Sequence, residues 1–595
     1  MFSPPVPQVN PPLDSFITWL DNQRVVGFDI ETDGLRQRCT INCIQVGAGD
    51  DVFIITEDLA QYLWALFTNP TLHRIAVHNV PFDIREIMFF MEDDLCTGDL
   101  EIFKRSAFNK LEDTMGMAQV LYGGMQRAFG LGVMSAKYAP EYEYGDKAML
   151  EYWQETTGSV RPPSKNVLGQ FKAVITPELW ATEPRCMDYA ACDAVASWAL
   201  WHIFNEKIVG TPMEKITKIE RQLLPSVVQL NLNVLPLSKK RATALVETKT
   251  AEWEQNHIEA ERLFGVDVSH PTRLRELAGV AVVDDPHLGK LLGKTPTGGI
   301  KTDAVVLEKA KEYGWDVAEW VLELRQTKRR RDIIQQCLDL RTNGGVPATY
   351  KPTGAAATGR WSVSDPPIQQ IPRDPEYRRP FRARKGWKLV VADYSTMEPR
   401  IAATLSRDEA MREGLLSGDL YAASAQRVDG TKHVEPARRQ QFKNFFMAYI
   451  FGAGTKRLGE QTNMSYSEVM KLKTQFQALF PAYNRWREDL NSGAGGYTPD
   501  GYSLTTYDGD EYKRTAWAVQ SSAAYMLKRG IIKLRKKYPQ YHQYLVCVIH
   551  DEVILHVPER HAKKAAKALQ KCLEVKGWID MPAQAMVVDD WSQAK

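Results

Sequence analysis

Two short stretches put carboxylates where burial should forbid them. In "VVGFDIETDGL", Asp29 and Glu31 alternate with Phe28 and Ile30. A strand shows successive side chains to opposite faces, so the two acids share one face and the apolar residues the other. In "CVIHDEVILHV", His550, Asp551 and Glu552 interrupt what otherwise reads as two buried strands, a β-hairpin with Asp551 near its tip. Asp393 ends a third apolar strand, "KLVVADY". Like charges held close together repel, and inside a protein the cost is high unless a cation sits between them. The chemistry open to such acids is that of divalent metals, hard cations that take oxygen ligands. A solvated edge strand is the competing account of Asp29 and Glu31.

Further residues could complete these sites. "HNVPFDIREI" puts Asp83 at the start of a helix, and "DYAACDAV" spaces Tyr189 and Asp193 four apart, on one helical face. After Asp393, a helix should begin near Glu398, because Pro399 is tolerated only in a first turn. Strands ending at Asp393 and Asp551, laid side by side, would bring these two acids together. In "RRQQFKNFFMAYIFGAG", Arg439, Lys443, Met447 and Phe451 recur at i+4 and form one slowly turning row on a helix. Two cations followed by apolar side chains suit a nucleotide: charge for the triphosphate, a flat surface for sugar and base. An amphipathic core helix with a snorkelling basic end would look the same.

The chain that must position these groups has 595 residues, room for several domains of about 100–200 residues each. Hydrophobic content of 44% and charged content of 25% are ordinary for a soluble globular protein. No apolar run of about 18 residues marks a membrane span, and the Pro-rich start lacks the basic and apolar regions of a signal peptide. The net charge of +2 neither announces nor excludes nucleic acid, but positive charge is clustered in "RQTKRRRD", "RRPFRARK" and "KLRKK". The 8 cysteines are scattered, and Cys39 and Cys43 have no second pair nearby, so reduced thiols are expected and a structural zinc site is not. Residues 16–210 alternate strand-like and helix-like stretches, as in an α/β domain. Residues 214–340 are mostly helical, with a break at "GKTPTGGIKTD" and the basic run 325–332 at their close. Strands return around Asp393 and Asp551, with a helical stretch over 406–490 between them.

The order of these motifs is more specific than any of them alone. Asp29, Glu31, Asp83, Asp193 and Tyr189, with Asn79, resemble the three motifs of DEDD-type 3′–5′ exonucleases of the tyrosine subclass, over roughly residues 20–205. The segment 140–182 does not match that pattern. "ADYSTMEPRIAA", "RQQFKNFFMAYIFGAG" and "VIHDEV" resemble motifs A, B and C of family A DNA polymerases, in a phage-type form without a 5′-nuclease domain. "TGRWSVSDPPIQQIP", "AVQSSAAYMLK" and "VVDDWSQAK" support the match, which covers about 214–595.

The resemblance implies a multidomain α/β and α+β fold, a ribonuclease H-like exonuclease domain followed by a right-hand polymerase domain. The expected divisions are a Pro-rich tail (1–15), the exonuclease (16–210) and the polymerase (211–595). Within the last, the thumb spans about 241–343, the palm about 214–240, 344–405 and 515–595, and the fingers about 406–514. It implies two Mg²⁺ ions, with Mn²⁺ as a substitute, in each of two sites: on Asp393 and Asp551 in one, on Asp29, Glu31, Asp83 and Asp193 in the other. Tyr189 would orient the attacking water and Glu552 would be auxiliary. Arg439 and Lys443 would clamp the triphosphate, with Met447, Phe451, Glu398 and Tyr394 around the nucleotide and Glu398 crowding the 2′ position. Arg360, Gln520 and His550 would touch the primer terminus and minor groove, and Lys328, Arg329 and Arg330, at the end of the thumb, the phosphate backbone.

Implied partners are primer-template DNA and dNTPs, with a helicase, single-strand-binding or processivity protein as a further one. The chain is expected to be a monomer, off the membrane, in the cytoplasm of a bacterial host, serving phage genome replication. It departs from the family where Met447 stands for the usual Phe or Tyr, Phe451 for Tyr, Tyr421 for His and Pro399 for Leu. Competing readings are an exonuclease with a DNA-holding clamp, a single-subunit RNA polymerase, and a structural protein. The intact Asp393, Asp551, Lys443 and Arg439 speak against the first, and Glu398 and the exonuclease half against the second.

Overall fold

The computed structural model describes residues 5–34, 38–142, 144–462, 464–493 and 496–594. The first residues of the Pro-rich start and the closing Lys595 lie outside these. Six strands, β1 (Gln8–Val9), β2 (Val25–Thr32), β3 (Ile41–Ala48), β4 (Asp51–Ile55), β5 (Arg74–Val77) and β6 (Leu111–Asp113), form one mixed sheet in the order β1-β4-β3-β2-β5-β6. Gln8 and Val9, inside the segment read as a tail, thus pair with Phe53 and Ile54. The edge-strand account of Asp29 and Glu31 fails, because β2 lies between β3 and β5. Val26, Phe28 and Ile30 sink into the core on one face of β2.

Helices α1 (Val80–Asp94), α2 (Thr114–Tyr122), α3 (Lys165–Lys172) and α4 (Pro184–Ile208) surround the sheet. α4 lies directly on β2. A Cβ at Gly27 would come within 1.9 Å of the Ala194 carbonyl oxygen, so only glycine permits this approach. That contact puts the Tyr189–Asp193 turn of α4 over the acidic face of β2.

Helix α5 (Met213–Leu232) joins the halves. Leu224 and Val228 pack into the N-terminal core, and Leu223, Val227 and Leu230 into the C-terminal one. Helices α6 (Lys239–Phe264) and α7 (Asp316–Asp339) pack side by side as a long pair. The basic run does not close this helical section. It lies mid-helix in α7, which runs on to Asp339. There Arg329 donates to Gln370 at 2.8 Å, and Arg330 lies over the Tyr377 ring, so the run faces the body of the C-terminal half.

Strands β7 (Leu235–Pro236) and β8 (Gly345–Val346) pair, as do β9 (Thr349–Ala355) and β10 (Arg360–Ser364). The C-terminal sheet holds β11 (Trp387–Tyr394), β12 (Leu545–Ile549), β13 (Glu552–Pro558) and β14 (Ala583–Val588), all antiparallel in the order β12-β13-β11-β14. Helices α8 (Met397–Ser406), α9 (Leu420–Asp429), α10 (Pro436–Ile450), α11 (Arg514–Lys537) and α12 (Glu559–Leu573) cover this sheet or extend from it. On α10, Phe442, Phe445, Phe446 and Tyr449 are buried against Phe476 and neighbouring rings, which turns the row Arg439–Lys443–Met447 outward. No disulfide joins the cysteines among the described residues.

Candidate active sites

The N-terminal site is built where α4 crosses β2. Asp29, Glu31 and Asp193 bring carboxylate oxygens within 4.8 Å of one another. Asp83 joins from the first turn of α1, whose N-cap, Asn79, takes left-handed backbone at φ +83°. Burial raises Asp29 and Asp83 well above the usual carboxylate range, and neighbouring acids add to it: Asp83, Asp193 and Glu31 around Asp29, Glu31 and Asp113 around Asp83. Asp193 is pushed up to about 8, mainly by burial. Such a set of buried oxygens holding protons is what a divalent cation would displace, so the residues fit the metals that the resemblance implies. Tyr189 stands one turn before Asp193, and burial followed by the Asp193 charge raises its phenol well above the ordinary value.

Two residues here carry no sequence signal as site residues. Asp113, at the end of β6, accepts the backbone N–H groups of Asn79 and Met115, each at 3.1 Å, and is raised by burial to about 6. Lys172, the last residue of α3, donates to the Tyr189 hydroxyl at 2.9 Å and lies 3.4 Å from Glu31 Oε1.

The C-terminal site forms where β11 meets the β12–β13 hairpin. Ala392 pairs with Val553, so Asp393 reaches the level of the hairpin turn. The turn residue His550 has φ +54°, and Asp551 follows it. Asp393 is raised to about 7 by burial, then by Asp551 and Glu552, against the pull of Arg373. Its Oδ1 is buried without a hydrogen-bond partner. An orphaned carboxylate oxygen beside a second acid suits a cation. Glu398, in the first turn of α8 as expected, faces Arg360 and Asp551, and burial raises it. Arg373, one residue beyond the motif that ends at Pro372, bears electrostatically on Asp393, His550 and Glu552.

Other expected residues fall differently. Tyr394 is buried and donates to the Leu573 carbonyl at 2.8 Å. The strand period that gives Asp393 to the cleft turns the Tyr394 side chain into the core. Phe451 is not on the helix: α10 ends at Ile450 and Phe451 is its C-cap, tied to the Met447 carbonyl. Glu552 points inward, ion-paired to Arg378 at 3.3 Å and accepting from the Trp591 indole. Arg378, from the cluster "RRPFRARK", is buried there rather than solvated. Lys443 is exposed, and Arg439 pairs with Asp419, the N-cap of α9. Arg360 and His550 are also exposed, while Gln520 is half-buried on α11.

Residues 239–593 match the family described as DNA polymerase family A, and residues 9–209 match that described as 3′–5′ exonuclease. The chain is 28% identical over 407 residues to the thermostable DNA polymerase I of Thermus aquaticus, covering 64% of this chain and 48% of that one. It therefore spans about half the length of such relatives. It is 24% identical to the DNA polymerase I of Aquifex aeolicus over 95% of both chains, and 24% identical to the DNA polymerase of Mycobacterium phage L5 over 90% of this chain and 87% of that one. A solved POL domain from M. smegmatis, in complex with DNA primer-template and dNTP, shares the fold at 18% identity, with a TM-score of 0.74 over 98% of this chain and 99% of that chain. Two carboxylate sites on two sheets, each inside its matching segment, are thus explained together: the chain belongs to DNA polymerase family A and carries a 3′–5′ exonuclease domain ahead of its polymerase domain.

Proposed function

We propose that this chain extends a DNA primer on a template from dNTPs and removes mispaired ends with its 3′–5′ exonuclease, in phage genome replication. The observation that carries the synthetic half is the meeting of Asp393 and Asp551, with the Asp393 Oδ1 unpartnered. Asp393 and Asp551 would hold Mg²⁺ or Mn²⁺ in the palm, and Asp29, Glu31, Asp83 and Asp193 in the exonuclease. Bound there, divalent cations supply activated oxygen nucleophiles and neutralise phosphate charge. The protein's own residues do the positioning. Lys443 and Arg439, on the outward face of α10, receive the triphosphate as charge-assisted donors. Glu398 stands in the first turn beyond Asp393, where it crowds a 2′-hydroxyl and favours deoxynucleotides. Arg360, Gln520 and His550 hold the primer terminus without reading sequence. Tyr189 orients water in the exonuclease site. A phage DNA polymerase similar over 90% of this chain supports the phage part of this reading.

One gel tests this reading. An end-labelled primer on a longer template is incubated with Mg²⁺, with and without dNTPs. Lengthening with dNTPs and shortening without them is expected, and Asp393→Ala should abolish the first alone. Shortening in both lanes would leave an exonuclease joined to a DNA-holding clamp.

A further inference from the structure

The segment 140–182 lies inside the range that matches the exonuclease family but contains none of the three carboxylate motifs, yet it delivers a cation to the exonuclease site. α3 is anchored by Leu168 and Phe171, which pack against the cluster of Met149, Trp180 and Tyr189. Its last residue, Lys172, turns inward. The ammonium donates to the Tyr189 hydroxyl at 2.9 Å, lies 3.4 Å from Glu31 Oε1 and stands 4.4 Å above the Tyr189 ring. Its side chain is 23% exposed, and that of Glu31 8%. A lysine so placed loses both hydration and rotamer freedom, a cost that an exposed surface lysine avoids.

We propose that Lys172 is a positioning residue of the exonuclease site, holding the Tyr189 hydroxyl beside Glu31 so that the phenol orients the water that attacks the last phosphodiester of a single-stranded DNA 3′ end. The P–O3′ bond breaks, the shortened strand leaves with a 3′-hydroxyl that takes up a proton, and the terminal nucleotide leaves as a 5′-monophosphate. This rests on the exonuclease reading above. A phenol on a helix can swing about its side-chain torsions, and a hydroxyl can rotate. Lys172 removes that freedom with a charge-assisted hydrogen bond from one side, while Glu31 holds Lys172 from the other. A charge balance points the same way. Four ionised acids cancel two divalent cations, so the phosphodiester enters with its own charge unmet, and one protein-borne ammonium restores neutrality. The rival account makes Lys172 a placeholder that neutralises the acids and leaves when metal arrives.

The test uses the full chain and its Lys172→Met, Lys172→Arg, Tyr189→Phe and Lys172→Met/Tyr189→Phe variants, each checked for folding by thermal unfolding. Hydrolysis of a single-stranded oligonucleotide gives kcat and KM, and electron paramagnetic resonance gives Mn²⁺ affinity. Positioning predicts that Lys172→Met lowers kcat by on the order of tenfold or more with little change in KM, and that Lys172→Arg recovers part of it. The loss should shrink several-fold in the Tyr189→Phe background, because coupled residues are non-additive. Mn²⁺ affinity should change by less than about threefold on the same reasoning about separate roles. Tighter Mn²⁺ binding with undiminished kcat, or equal losses with and without the Tyr189 hydroxyl, overturns the proposal alone. A wild-type chain that shortens no 3′ end overturns the exonuclease reading and the proposal together.

Discussion

The hydroxyl of Tyr421 points at the sulfur of Met447 across 3.6 Å, joining α9 to the outward face of α10. Tyr421 also meets Phe446 edge-on at 5.8 Å. Its phenol therefore fills space beside an unbranched, flexible side chain. Met447→Tyr should overpack this contact and destabilise the protein by about 1–3 kcal/mol, a loss that Tyr421→Ala in the same chain relieves. The rigid ring should also shift the preference between dideoxynucleotides and deoxynucleotides by several-fold, towards the former. Urea unfolding and single-nucleotide incorporation kinetics measure the two effects. An unchanged incorporation ratio would remove Met447 from the sugar pocket.

Arg439 and Asp419 form an ion pair whose side chains are 41% and 37% exposed. Exposed pairs contribute about 0–1 kcal/mol, so Arg439→Ala should hardly alter stability. Loss of a triphosphate donor should nevertheless raise the KM for dNTPs by on the order of tenfold. Asp419→Ala should do the reverse, costing about 1 kcal/mol because Asp419 caps α9 through the N–H groups of Tyr421 and Ala422, with a smaller change in KM. Equal KM values for Arg439→Ala and wild type would exclude the clamp.

Much of this was legible in the sequence wherever a site residue sits on a periodic element. Asp29 and Glu31 share a strand face, Tyr189 and Asp193 share a helix face, and Asp393 lies at the end of an apolar strand with Asp551 in the turn after another. Their placement follows from periods of 2 and 3.6. Lys172 was not legible, because it lies 141 residues from Glu31 and reaches it through a fold contact that no local pattern encodes. Asp113 reads in sequence as an ordinary N-cap, and Arg373 falls just outside a motif. The basic run lies mid-helix and not at its close, because charge marks a surface and no helix end, while the section end expected near 340 falls at Asp339.

Lys328, Arg329 and Arg330 turn that correction into a measurement. Arg329 is tied to Gln370, Arg330 stacks over Tyr377 and Lys328 over Trp253. Lys328 and Arg329 are exposed, and Arg330 is half-buried. If the first two meet backbone phosphates, Lys328→Ala and Arg329→Ala should each reduce the slope of log affinity against log salt by about 1 for primer-template DNA. Arg330→Ala should change it less. Fluorescence anisotropy over a salt series reads the slope. Parallel lines for all variants would place the DNA backbone elsewhere.

Asp193 at about 8 and Asp393 at about 7 make the metal-free protein sensitive to rising pH. A carboxyl raised in the fold adds stability that is full below its unfolded value, 3.8, and is lost as pH rises through its folded value. A bound cation replaces the proton and removes that loss. The gain in unfolding temperature from Mn²⁺ over chelator should therefore widen between about pH 6 and pH 8.5, with proton release seen by calorimetry in two buffers. A gain constant across that range would mean that neither acid binds the ion.

His542 and His556 set the acid side of stability. His542 Nε2 lies 2.8 Å from Ser226 Oγ, and His556 Nε2 accepts the Arg384 backbone N–H at 3.3 Å while its ring lies 4.7 Å from that of Trp387. Both are buried, and burial lowers each from 6.5 to about 4, with Arg535 and Arg384 adding to it. The unfolded chain takes up these protons first as pH falls. Their contribution is present above 6.5 and is lost as pH falls towards 4, up to roughly 3 kcal/mol apiece. The raised carboxyls run the opposite way, so the informative quantity is the difference between wild type and His542→Gln/His556→Gln. By urea unfolding in chelator, the double variant should be the less stable form near neutral pH, where it loses packing and hydrogen bonds. That deficit should narrow steadily as the solution is acidified towards pH 5, because only the wild type has histidines to protonate on unfolding. A deficit independent of pH would mean that both imidazoles take up protons in the fold as readily as in the unfolded chain, against the acceptor role that His556 Nε2 plays towards Arg384.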